Sequence, residues 1–194
     1  MMRRIFPASG VALAVVAALI WLGQTGCKSY NEQEVHSSLE VVDVSTSWTM
    51  KEYRQWPNPK LTLVPTVTFK LKNNSSETLR YINVNAIFKE VDSVENLGDS
   101  FHTAVRGEGL APGATSPPIT LKSNFGVAGK TLDSFKANPH WKSYYVKLFV
   151  QMGGPRHISM GEYPVSRQID FQEDQAVHQK DESSAVLQEE PAKD

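Results

Sequence analysis

Cysteine is nearly absent: the chain of 194 residues holds one, Cys27. A single thiol excludes an intramolecular disulfide framework and any zinc or iron–sulfur site built from several cysteines. An excess of one charge is lacking as well, since 20 Lys+Arg stand against 21 Asp+Glu. The resulting net charge of −1 gives no basic footprint for phosphate backbones, so nucleic acid is not an expected partner. Long apolar runs are missing too; the longest, Val11 to Leu22, is short of the roughly 20 residues that cross a bilayer as a helix. What remains is ordinary. A hydrophobic fraction of 40% suffices for a packed core, and the length fits one domain of about 100–200 residues with extensions.

The N-terminal segment carries the clearest address. Arg3 and Arg4 form a short positive start, the apolar run VALAVVAALIWL follows, and Gly23-Gln24-Thr25-Gly26 leads to Cys27. A positive start, an apolar stretch of about 7–15 residues and small residues at the cut describe a secretory signal. Gly26-Cys27 in this position resembles the lipobox of bacterial lipoproteins, with Gln24 standing where that family usually has Leu. The resemblance implies that residues 1–26 are removed as a signal peptide and that Cys27 is the lipid-attachment residue. Its thiol would take a diacylglycerol and its new amine a fatty acid such as palmitate. Each buried CH₂ would add about 0.8 kcal/mol to membrane attachment. Lys28 follows where, by the same resemblance, Asp would hold a lipoprotein at the inner membrane, so the outer membrane is favoured. Residues 27–38 are expected to form a polar tether, able to reach roughly 35 Å when extended.

From Leu39 the chain reads as strands. In LEVVDVSTSW (39–48), Val42, Val44 and Trp48 share one parity. In LTLVPTVTFKLK (61–72), Leu61, Leu63, Val67, Phe69 and Leu71 alternate with Thr62, Thr66, Thr68, Lys70 and Lys72. Successive side chains of a strand point to opposite faces, so one face is buried and the other wet. Pro65 lacks an N–H and marks an edge or a bulge. Asn73-Asn74-Ser75-Ser76 is turn chemistry, and the return through Ile82, Val84, Ala86 and Phe88 predicts an antiparallel hairpin. Short strands are expected at 101–105 and 118–121, flanking the turn Leu110-Ala111-Pro112-Gly113. Residues 144–152 alternate strictly, and Gly153-Gly154-Pro155 turns them back into 157–165. A short helix is expected at Thr131–Asn138, stopped by Pro139.

About seven strands and one helix within 39–171 predict an all-β fold: an immunoglobulin-like antiparallel β-sandwich. The stretch TFKLKNNSSETL, the return INVNAIF and the LAPG turn resemble bacterial immunoglobulin-like domains of the FxLYD type. Phe88-Lys89 stands where that family has Tyr-Asp. A fainter similarity joins the sandwich of late-embryogenesis-type desiccation proteins. Neither resemblance implies a catalytic residue. Residues 172–194 carry seven acids against two lysines and no aromatics, so the tail is expected to be disordered.

Candidate chemistry is sparse. Asn124–Thr131 (NFGVAGKT) ends like a phosphate-binding loop, but Asn124 holds the place of its first glycine, and a glycine loop entering a Thr-capped helix explains it better. His36, His102, His140, His157 and His178 show no metal-ligand spacing. Glu90 and Asp92 flank Val91 as a solvated turn would, and no Gly-x-Ser-x-Gly elbow occurs. No catalytic residue, cofactor or metal ligand is therefore assigned. Two aromatic groups stand out: Trp48, Tyr53 and Trp56, and Trp141, Tyr144 and Tyr145. Each is expected to plug one end of the sandwich, with Trp56 the most exposed. The expected function is a lipid-anchored, non-catalytic binding or structural module of the bacterial envelope, facing the periplasm or cell surface. Its partners would be the membrane and an envelope protein or polymer. The alternative is an envelope enzyme whose site is assembled from distant loops.

Overall fold

The computed structural model describes residues 30–138 and 141–171. The signal segment 1–26, Cys27 and the acidic tail 172–194 lie outside the described residues. Helix α1 spans Glu32–Ser38. The strands are β1 Leu39–Arg54, β2 Lys60–Asn73, β3 Ile82–Glu90, β4 Asn96–Val105, β5 Ile119–Lys122, β6 Val127–Gly129, β7 Tyr144–Met152, β8 Ile158–Pro164 and β9 Ile169–Asp170. Helix α2, Leu132–Lys136, separates β6 from β7.

Two sheets form. One has the order β5-β2-β1-β9, with β6 also paired to β2; the other has the order β4-β3-β7-β8. Pairing is antiparallel except for β1 with β9. This is the expected all-β sandwich. In immunoglobulin terms β1, β2 and β5 take the places of strands A, B and E, and β3, β7 and β8 those of C, F and G. Strand β4 lies beside β3 as a C′ strand does. The alternating residues supply the core: Leu61, Leu63, Val67, Phe69 and Leu71 of β2 face Ile82, Val84, Ala86 and Phe88 of β3, all at most 1% exposed. Each large side chain so buried contributes about 1.5–3 kcal/mol relative to exposure.

The link between β2 and β3 is not a hairpin. The two strands lie in opposite sheets, so the turn at Asn73–Ser76 serves an arch. Each strand has a complete apolar face, and an arch sets these faces against each other instead of side by side. Asn73 holds the arch. Fully buried, it donates through Nδ2 to the carbonyls of Glu77 and Leu110, both at 2.8 Å. Its Oδ1 accepts from the Ser75 N–H at 2.9 Å and the Ser75 hydroxyl at 2.7 Å.

Two further expectations change. Asp43 adopts φ 53°, and the register with β2 shifts between Val42 and Ser45. This bulge exchanges the faces, so Val41 and Val44 pack on the core while Val42 pairs with the outward Lys70. The stretch 32–38, expected within the tether, is helical. Asn31 caps it by accepting from the Glu34 N–H at 2.9 Å, and Glu34 returns a bond to the Asn31 N–H at 2.8 Å. That reciprocal box offsets the cost of ordering a short polar segment, and Val35, at 0% exposure, fastens it to the core. Pro65 sits inside β2 opposite Trp48, at the gap between the segments paired with β5 and with β6. Its carbonyl accepts from Ser123, so the missing N–H faces that same gap and no ladder bond is lost.

Both flanks of the sandwich are closed. On one, Asn124 and Asp99 exchange three hydrogen bonds of 3.0–3.3 Å. Gly98 permits this contact, because a Cβ there would lie 2.3 Å from the Asn124 and Ser123 side chains. On the other, the Thr46 hydroxyl donates to the Pro164 carbonyl and accepts from the Ser166 N–H, both at 2.9 Å. The chain then crosses to the first sheet, where the Trp48 N–H donates to the Gln168 carbonyl at 2.8 Å.

Candidate functional site

The molecule has two distinct ends. At the lower end lie Tyr30, α1, the arch and the β7–β8 turn. At the upper end lie the β1–β2 tip, the β3–β4 turn, α2 and the segment after β8. The aromatic groups gather at the upper end. Trp48 is 1% exposed and meets the Trp141 ring at 5.2 Å and the Tyr144 ring at 5.3 Å, both edge-on. Phe135 of α2 closes on Trp141 at 5.8 Å. Edge-to-face pairs of this kind are favoured by the ring quadrupoles. Trp48 of one aromatic group and Trp141 and Tyr144 of the other therefore plug this end together, rather than each group closing an end by itself. Tyr53 meets the Phe171 ring edge-on at 5.2 Å instead, and Tyr145 is on the outer sheet face with Lys147 5.7 Å above its ring. Trp56, at the β1–β2 tip before a cis proline, is 84% exposed. Val94 in the β3–β4 turn is also exposed.

Burial, with the nearby Glu90 carboxylate adding to it, pushes the Tyr144 phenol above its ordinary value of 10.0; Lys142 acts in the opposite sense. Burial does the same to Tyr163. Over the interval between unfolded and folded values the folded chain holds more protons. The contribution of these two groups to stability is therefore complete below pH 10 and declines as pH rises past it. Urea midpoints measured from about pH 8 to about pH 11 are expected to fall at the alkaline end. Tyr144→Phe removes part of that fall, and adding Tyr163→Phe removes more.

A depression of ≈ 250 Å³ opens beside the plug, lined by Lys136, Asn138, Trp141, Arg167 and Ile169. Helix α2 and the turn after it supply Lys136 and Asn138. The segment from β8 to β9 supplies Arg167 and Ile169. Arg167 is held in place by donating through Nη2 to the Trp141 carbonyl at 2.8 Å. The Trp141 indole Nε1 is buried and has no hydrogen-bond partner among the described residues. Neither Lys136 nor Arg167 forms an ion pair among the described residues. Sequence reasoning singled out Trp141 but missed Lys136 and Arg167, since no motif joins groups 31 positions apart.

The other candidates do not converge. Thr131 caps α2 through Ser134, but Val127–Gly129 form strand β6, so the glycine segment is not an open loop. His36 stands 4.0 Å from Glu32 on α1, while His102 lies on β4 and His157 before β8. His140 and His178 lie outside the described residues. No three metal-binding side chains meet among the described residues. Glu90 pairs with Lys142 at 2.6 Å, and Asp92 occupies a turn at φ 63°. A second hollow of ≈ 450 Å³ at the lower end is lined by Tyr30, Asn31, Glu34, Met152, Gly154, Pro155 and Arg156.

These features define the class: an all-β sandwich protein with an aromatic plug and a small cationic depression at one end. No family model and no curated protein matches the chain. Among solved structures, it is similar to Northeast Structural Genomics Consortium target SoR45, at 13% identity and a TM-score of 0.37, over 68% of this chain and 89% of that one. It is also similar to the ligand binding region of Serine-glutamate repeat protein A of Enterococcus faecium. There the identity is 15% and the TM-score 0.26, over 66% of this chain and 99% of that one.

Proposed function

We propose that the protein is a lipid-anchored, non-catalytic binding module of the bacterial envelope, its sandwich resembling the FxLYD type. The observation that carries this reading is the lone Cys27, placed where a signal-like apolar segment ends. The described fold supports a particular orientation. Tyr30, only three positions after Cys27, already lines the lower hollow, so an anchor at Cys27 holds that end within about 10 Å of the membrane. Strand β1 runs from the lower to the upper end over 16 residues, about 50 Å of chain. The exposed Trp56 and the cationic depression then face away from the bilayer, where an envelope protein or polymer is met.

Growth with a labelled fatty acid tests the anchor. The native chain is expected to take the label and to begin at Cys27. Cys27→Ser is expected to take none. Equal labelling of both chains, or an unlabelled native chain that keeps residues 1–26, overturns the reading.

A further inference from the structure

We propose that the depression between α2 and the β8–β9 segment is a binding site for a carboxylate group, held by Lys136 and Arg167 against the Trp141 indole. Two features of the pocket converge on this. Among the described residues its two cations have no counter-ion and no acid lines it. The Trp141 ring forms part of the wall, so its indole resonance reports on what occupies the depression. Arg167, with one nitrogen fixed on the Trp141 carbonyl, is pre-positioned and keeps further N–H groups for a ligand.

Size and lining narrow the ligand. A volume of ≈ 250 Å³ is below the usual range of about 300–1,000 Å³ for drug-sized ligands, so the site takes a small group. Ile169 and the Trp141 ring give it an apolar side, which suits a carboxylate carried on a short hydrocarbon. Two sources share that chemistry. One is a free or partner-borne carboxylate. The other is this chain's own tail, whose first acids, Glu173 and Asp174, follow Ile169 by four and five positions. The inference gives chemical content to the binding reading, yet it does not depend on the anchor: failure of the Cys27 labelling leaves the following measurement unaffected.

The test uses the ¹⁵N-labelled full chain in detergent, read through its tryptophan indole N–H resonances. Sodium butyrate is the probe, at constant ionic strength, with butylammonium chloride and phosphate as controls. The Trp141 resonance is expected to move saturably with butyrate while the exposed Trp56 resonance stays in place. Lys136→Gln, a change at an exposed position, is expected to weaken binding about tenfold. Comparison with a chain ending at Phe171 separates the sources. Tighter butyrate binding there, with a Trp141 shift on truncation alone, identifies the tail as occupant, and equal binding identifies an external carboxylate. A Trp141 resonance unmoved by butyrate in both chains, or moved equally by butylammonium or in Lys136→Gln, overturns the proposal. Phosphate displacing butyrate at lower concentration overturns the assignment to carboxylate.

Discussion

Trp48→Ala is expected to lower the free energy of unfolding by about 3–5 kcal/mol, the range for large aromatic truncations in cores. The ring is 1% exposed and belongs to two edge-on pairs, each worth about 0.5–1.5 kcal/mol beyond burial. Its removal leaves Trp141 and Tyr144 facing a void at the upper end. For a chain of this size the melting temperature falls about 2–4 °C per kcal/mol. Urea unfolding checks this: the midpoint drops while the slope with denaturant holds. A loss under 1 kcal/mol, by contrast, means that the plug closes over the gap and that Trp48 is not its keystone.

Asn73→Ala is expected to cost about 3–5 kcal/mol although it deletes a polar residue. The side chain makes four hydrogen bonds to the arch; without it the Leu110 carbonyl keeps the Leu79 N–H and the Glu77 carbonyl keeps the Ser75 hydroxyl, while the Ser75 N–H has no other bond among the described residues. Each group left buried without a partner costs about 1–3 kcal/mol. The neighbouring Asn74, exposed and bonded to Glu40 at 3.0 Å, is the control. Asn74→Ala should stay within about 0.5 kcal/mol. Similar losses for the two variants in urea unfolding would remove Asn73 from its assigned role.

The sandwich was legible in the chain because period-two alternation survives over long stretches of β2, β3 and β7. Those strands have one face in the core and one toward water. Three things escaped it. Asp43 hides a bulge, and a single extra residue silently exchanges the parity of β1. The turn after Asn73 contains residues equally suited to a hairpin and to an arch; which one forms depends on where the two apolar faces find each other. Helix α1 carries a polar composition like a linker, and only Val35 ties it down. At the upper end the aromatics announced a plug, whereas Lys136 and Arg167 are remote in sequence and meet only through folding. Strands β6 and β9 are three and two residues long, too brief for any pattern to emerge.

The parallel contact between β9 and β1 has a mechanical consequence. The described chain starts at the lower end and finishes at the upper end, so tension applied to its two termini pulls β1 and β9 past one another lengthwise. Under such a load the Trp48–Gln168 bond and the Thr46–Ser166 clasp strain together instead of opening one after another. A tensile joint of this geometry suits a protein held at one extremity while something tugs on the other.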